Sequence, residues 1–218
     1  MTVWLYVLIH DRPEELRQCL HSITKYPAGA TYRTAVYMDA PDKDTIKEAT
    51  DFVSNADIVL TSEQNVGAAR AMNSLLMTRE DSDHVLRLDS DTKWRSNNWL
   101  ATLERDLGAF GVIAPAYKTE AEQPQYVDHE CPPAGATLYR ADVLNALGRF
   151  HVYGTYGCED LDYNLRAKQA GFRVGINREV RVKTAPTTAH ERKEILERSL
   201  VEFKKMEQKY LNGLEIHQ

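Results

Sequence analysis

Short apolar runs alternating with amphipathic helical patterns dominate the first ninety positions, and they leave few folds open to the chain. Val3-Trp4-Leu5-Tyr6-Val7-Leu8-Ile9 is an unbroken β-branched, aromatic and aliphatic run, followed by Leu16, Leu20 and Ile23 at helical spacing. Pro13 suits the first turn of that helix, where its missing N–H costs little. Residues 34–38 predict a second strand ending at Asp39, with a helix around 45–52. Residues 58–60 predict a third, leading through Asn65-Val66-Gly67 into a helix that carries Ala68, Ala69, Met72, Leu75 and Leu76. Residues 84–88 predict a fourth. Strands and helices in this order imply βαβ crossovers, and so a mostly parallel sheet with helices on both faces. Such sheets bind ligands at the carboxyl ends of their strands. Asp11, Asp39, Asn65 and the pair Asp89/Asp91 all fall at those ends, which predicts one shared site.

The second half is less regular. It predicts a helix over 99–107, a strand over 112–114 and a polar, proline-containing loop over 117–134, long enough to cover a pocket. A strand over 136–139 and a helix through Val143 and Leu147 follow. A further helix opens at Gly157-Cys158-Glu159-Asp160 and stops at Gly171. Residues 172–176 and 180–182 predict two short strands, and 191–211 a charged helix with an apolar stripe. A length of 218 residues fits one α/β domain with that last helix appended. The net charge of -5 excludes a globally basic nucleic-acid binder while leaving a local basic patch open. Three cysteines without C-x-x-C spacing form no closed disulfide framework, which predicts a reducing, cytoplasmic setting. The first ten residues lack a basic leader and give way to Asp11 and Arg12, so they read as a buried strand, not a signal peptide. No apolar run reaches the roughly 20 residues of a membrane span.

Two acidic motifs carry the chemistry. In Leu88-Asp89-Ser90-Asp91 the residues at i and i+2 of a strand point the same way, and two carboxylates so placed suit a hard cation such as Mg²⁺ or Mn²⁺. The same string also suits a turn opener, because Asp and Ser hydrogen-bond their own backbone. In Gly157-Cys158-Glu159-Asp160-Leu161-Asp162, acids at a helix start satisfy free N–H groups and the helix dipole, although capping needs only one of the three. Asp162 and Arg166 stand four apart and predict an ion pair. Trp94 and Trp99 fit either stacking on a sugar or helix packing. His129-Glu130-Cys131 lacks a partner pair at zinc spacing, and Cys158 reads as a small packed thiol.

Glu159-Asp160-x-Asp162-x-x-x-Arg166 followed by Gly171 resembles the acceptor-side motif of family 2 glycosyltransferases, which have the GT-A fold. Other segments match that family in order over about residues 3 to 182. Ile9-His10-Asp11-Arg12-Pro13 resembles the opening strand and helix, with Asp11 where Asn is usual. Asp39 keeps one acid of the nucleotide loop, while Met38 and Pro41 depart from it. Asn65, Gly67, Ala71 and Asn73 match Asn-x-Gly-x-x-x-Ala-x-Asn, and residues 88–91 match the metal motif. Gly135 through Phe150 resembles the strand and helix that line the acceptor cleft.

The resemblance implies a single Rossmann-like GT-A domain over 1–190, with a nucleotide-binding half over 1–91, an acceptor half over 92–190, and a C-terminal helix over 191–218. It implies a metal-dependent, inverting transfer of a sugar from a nucleotide sugar, with UDP as the expected nucleotide. Asp160 is expected as general base, with Glu159 placing the acceptor or standing in for it. Asp91 is expected as direct ligand of Mn²⁺ or Mg²⁺, Asp89 as ribose contact or water-mediated ligand, and His190 as a third metal contact. Ile9, His10, Arg12, Asp39, Asn65, Gly67, Arg70, Asn73 and Ser90 are expected around the donor, with Arg70 meeting the diphosphate or standing exposed on its helix. Gly135 and Trp94 are expected at the acceptor. A glycan, lipid-linked saccharide, small molecule, protein or modified nucleic acid all remain open as acceptor. Helix 191–211 nearly balances its bases with acids and predicts docking onto the core or homodimerisation. A nucleotidyltransferase on a similar fold would need a Gly-rich loop directly after the first strand, where this chain has His10-Asp11-Arg12-Pro13. A non-catalytic sugar-nucleotide or glycan-binding module would not require the acid pair 159/160.

Overall fold

The computed structural model describes residues 1–117, 135–153 and 157–185, together with Val201, Lys204 and Gln208 as helical positions. The elements run β1 (Val3–Ile9), α1 (Pro13–Lys25), β2 (Arg33–Asp39), α2 (Lys43–Ser54), β3 (Ile58–Ser62), α3 (Ala68–Leu76), β4 (His84–Asp89), β5 (Thr92–Trp94), α4 (Trp99–Leu107), β6 (Val112–Tyr117), β7 (Ala136–Tyr139), α5 (Ala141–Leu147), α6 (Glu159–Gln169) and β8 (Val174–Thr184). All eight strands join one sheet in the order β3-β2-β1-β4-β7-β6-β8-β5. β3, β2, β1 and β4 run parallel, as their crossovers require, and β7 turns antiparallel between β4 and β6. The expected α/β fold, a mostly parallel sheet with helices on both faces, is what the chain adopts.

Alternation along the strands sorts the core onto two faces. From β1, Leu5, Val7 and Ile9 join Leu16, Cys19 and Ile23 of α1, Ala49 of α2, and Trp99, Leu100 and Leu103 of α4. On the other face Trp4 and Tyr6 meet Met72 and Leu75 of α3, Val143 and Leu144 of α5, and Tyr163 and Ala167 of α6. Tyr163 seats α6: its ring stacks on Phe150 at 4.0 Å and meets Tyr139 of β7 edge-on at 5.4 Å. That packing fixes where the acidic start of α6 sits above the sheet.

Two differences from the sequence reading have local causes. The two short strands expected over 172–176 and 180–182 are one strand, β8, whose pairing with β6 jumps from Pro115↔Asn177 to Ala116↔Arg181. Pro115 offers no N–H to the ladder, and the Asn177 side chain accepts the N–H groups of Glu179 and Val180 across the bulge. β5 went unread because three residues carry no periodicity, yet it pairs antiparallel with the far end of β8. Most of the expected loop 117–134 and nearly all of helix 191–218 lie outside the described residues. No helix among the described residues is long and apolar enough to cross a membrane.

A buried histidine gives the fold a pH signature. His84, at the start of β4, is nearly enclosed, and its Nδ1 accepts the Ala141 N–H at 3.1 Å, so the native form is neutral. Burial, helped by the nearby Arg140 charge, lowers its pKa. The unfolded chain therefore binds the extra proton first, and stability falls as pH drops below the unfolded value of about 6.5. Urea midpoints measured at pH 5 and pH 7.5 are expected to show that loss in the wild type and a smaller one in His84→Gln.

Candidate active site

The connections from β1 to β2 and β3 run to one side of the sheet, and β4 lies on the other side of β1. The crevice at the carboxyl ends of β1 and β4 is therefore the topological switch point, where open α/β sheets take their ligands. Among the described residues four that are not glycine have positive φ, and three of them, Arg12, Ala40 and Cys158, sit on loops beside His10, Asp39 and Glu159. Backbone held in that region is sparsely populated and clusters at binding sites.

Asp39 ends β2 and is buried. Its Oδ1 accepts the Ser62 hydroxyl at 2.9 Å and the Val66 N–H at 2.8 Å, while Oδ2 accepts the Gly67 N–H at 2.9 Å. The carboxylate thus shapes the loop between β3 and α3, with Gly67 at φ 84 where a side chain would be strained. Asp42 caps α2, its side chain accepting the Thr45 N–H at 2.7 Å. His10 closes the same corner. Its Nδ1 hydrogen donates to the Asp39 carbonyl, leaving Nε2 to accept from Asn65 Nδ2 at 2.8 Å.

The two acidic motifs, seventy residues apart in sequence, meet through Arg87. This guanidinium is 3% exposed. Its Nε donates to Asp89 Oδ1 at 2.8 Å, and its Nη2 donates to Asp89 Oδ2 at 3.3 Å and to Glu159 Oε1 at 3.0 Å. Burial works against the cation, but the facing carboxylates of Asp89 and Glu159 outweigh it and hold it firmly charged. The Asp89 carboxyl is itself raised by burial, against the pull of Arg87. Arg87 does not appear among the residues expected from sequence. The available signal was an arginine at an alternating position of a central strand, where a charge must find partners.

Arg87 hydrogen-bonds neither Asp91 nor Asp160. Asp91 meets Arg12 at 3.7 Å, and burial, then the Asp89 charge, push its carboxyl up to about 6. Asp160 opens α6, and burial, then the neighbouring Glu159 charge, push it up to about 6 as well. Each motif therefore offers one carboxylate tied to Arg87 and one that Arg87 does not hydrogen-bond. Gly135 lies beside the metal motif, its carbonyl accepting the Asp89 N–H at 2.9 Å. The Ser90 N–H donates to Leu8 at 3.2 Å, and Arg70 stands exposed on α3, with Nη1 on the Val66 carbonyl at 3.2 Å.

Four expected site residues have their side chains committed elsewhere. Trp94 is fully buried, stacked on Trp99 at 4.2 Å within the core, so it offers no ring to an acceptor. Ile9 points its side chain into the same core. Asn73 spends its amide on the backbone of Phe150, donating to the carbonyl at 2.9 Å and accepting the N–H at 2.8 Å. Glu159, 5% exposed and turned to Arg87, is not set to touch an acceptor. Asp162 is structural as its spacing predicts: Arg166 Nε donates to it at 2.8 Å, and the Tyr153 hydroxyl donates to it at 2.8 Å. His190 and the string His129-Glu130-Cys131 lie outside the described residues.

The donor set fits a hard divalent cation. No three His, Cys, Asp or Glu side chains converge among the described residues. Mg²⁺ and Mn²⁺ do not demand that, since one or two carboxylates with waters and phosphate oxygens complete their shell. Asp91, raised by burial and by the Asp89 charge even with Arg12 at 3.7 Å, is the carboxylate that such an ion would relieve.

No protein-family model matches the sequence, and no curated protein matches it. Solved structures do. The mannosyltransferase PcManGT from Pyrobaculum calidifontis, in complex with GDP-Man and Mn²⁺, superposes with a TM-score of 0.71 over 93% of this chain at 16% identity. GalNAc-T7 with UDP, GalNAc and Mn²⁺ gives 0.68 over 86% at 15% identity. S. aureus TarS 1-349 in complex with UDP gives 0.64 over 93% at 16% identity. The chain spans 64%, 44% and 65% of those three structures. The fold is the GT-A fold.

Proposed function

We propose that this chain transfers a glycosyl group from a nucleotide sugar, with UDP as the expected nucleotide, to an acceptor hydroxyl, inverting the anomeric centre in one displacement. The observation that carries this reading is the meeting of the two acidic motifs at the switch point through Arg87. A module that only bound sugar nucleotides would have no use for Asp160 held there with a raised carboxyl. The GDP-mannose, UDP and Mn²⁺ named with the structural neighbours support the donor class and the cation.

In this reading the loop over 65–67, held open by Asp39, lets the donor approach the backbone closely, and Arg12 meets the diphosphate. Asp91 would hold Mn²⁺ or Mg²⁺, which when bound neutralises charge on the diphosphate leaving group. The acceptor oxygen bonds to the anomeric carbon as the sugar–phosphate bond breaks, and that bond's electron pair departs with the nucleoside diphosphate. The acceptor proton passes to the Asp160 carboxylate, a base poised close to working pH.

Release of nucleoside diphosphate from a panel of UDP- and GDP-sugars, with Mn²⁺ or with EDTA, tests the reading. Turnover is expected with Mn²⁺, falling about a hundredfold or more in Asp91→Asn and in EDTA. Equal, metal-independent turnover in wild type and Asp91→Asn would overturn it.

A further inference from the structure

We infer that Arg87 is a positioning residue that ties up one carboxylate from each acidic motif, Asp89 and Glu159, and so leaves Asp91 as the metal-facing group and Asp160 as the acceptor-facing one. The inference rests on the glycosyltransferase reading for the names of those two roles, but the sorting itself is geometric. Arg87 lies between Val85 and Asp89 on β4, directly opposite Thr137 of β7, on the sheet face that α6 covers. From there its planar fork grips both oxygens of Asp89 and, with the same Nη2, reaches Glu159.

The grip has consequences for each partner. Both Asp89 oxygens accept from Arg87, so the charge of that carboxylate is already met before any cation binds at Asp91. Glu159, 6% exposed at its side chain, is drawn under α6 and away from an incoming acceptor. Four carboxylates, Asp89, Asp91, Glu159 and Asp160, would otherwise compete for one cation and for one proton. A lysine would bring the same charge but only a point contact, which cannot hold two carboxylates in fixed planes.

Binding of Mn²⁺ alone, followed by the electron paramagnetic resonance signal of the free ion, tests this without needing turnover. Arg87→Gln is expected to bind Mn²⁺ about tenfold more tightly than wild type, because Asp89 is released to join Asp91. Asp89→Asn in the wild-type background is expected to change Mn²⁺ affinity less than threefold, and in the Arg87→Gln background to abolish the gain. That double-mutant cycle separates release of Asp89 from mere loss of a positive charge, which would leave the gain in place. Should Arg87→Gln fail to fold, Arg87→Met with Glu159→Leu replaces the buried pair by apolar groups and carries the same cycle. An unchanged Mn²⁺ affinity, or a gain that survives Asp89→Asn, overturns the inference. A completed cycle in a chain that turns over no nucleotide sugar would sink the proposed activity and leave the sorting by Arg87 standing.

Discussion

Asp160→Asn is expected to lower transfer by about a hundredfold to ten-thousandfold while making the folded protein more stable at pH 8. The first half follows from removing the proposed base for the acceptor proton, a contribution of about 10²–10⁴ in rate. The second half follows from burial. With the Asp160 carboxyl raised to about 6 from an ordinary 3.8, the native state holds its proton more tightly than the unfolded chain does. Stability is therefore lost as pH rises from about 4 through 6, and remains lower above that. Asparagine carries no such charge. Each pKa unit corresponds to about 1.4 kcal/mol, and with solvent screening the gain at pH 8 is expected to be about 1–2 kcal/mol, vanishing at pH 4. Urea denaturation at the two pH values, beside a rate measurement, checks both halves. A less stable Asp160→Asn at pH 8 would show that the carboxylate is compensated by a partner. Wild-type turnover should rise with pH through about 6 as the base ionises.

Asp39→Ala is expected to have the largest effect on folding, a loss of about 3–5 kcal/mol. The substitution strands the Ser62 hydroxyl and the Val66 and Gly67 N–H groups, all of which now converge on one buried carboxylate. Hydrogen bonds to a charged group contribute about 1.5–3 kcal/mol each, and three that share one acceptor do not add fully. For a domain of this size the loss corresponds to a fall in Tm of about 10 °C or more. Differential scanning calorimetry measures it directly. A Tm within two or three degrees of wild type would mean that water replaces the carboxylate at no cost. Donor affinity should fall with it, because the loop proposed to admit the nucleotide loses its fixed shape.

These two residues also mark how far the sequence could be read. Asp160 stands out as a candidate because a string of acids exceeds what a helix start needs and resembles a glycosyltransferase motif, and Asp91 because alternation places two carboxylates on one side of a strand. Asp39 stands out as a candidate too, but its partners do not. Only the parallel pairing of β3 beside β2 brings the N–H groups of 66 and 67 to its side chain. Trp94 misled by proximity: three residues beyond Asp91, it belongs to a strand too short to show alternation, and its ring turns into the core. Asn73 matched a family pattern, yet its amide is committed to a segment seventy-seven residues away that no local signal reveals. Arg87 was hidden among the apolar residues of β4, whose regularity identified the strand and masked the exception.

The sheet order also bears on how such a chain could be recombined. Division into a nucleotide half and an acceptor half suggests two exchangeable modules joined near residue 91. Yet β7 of the later half lies against β4 of the earlier one, with Val85↔Tyr139 through Leu88↔Ala136 in register. The Asn73 clasp on Phe150 and the Arg87 bridge to Glu159 cross the same line. A cut there would leave β4 with a bare edge and Arg87 without one of its acids. A chimaera that borrowed the second half of another chain would have to import a matching strand edge, a carboxylate at position 159 and a backbone clasp together. The two halves of this fold are therefore bound to travel as one piece.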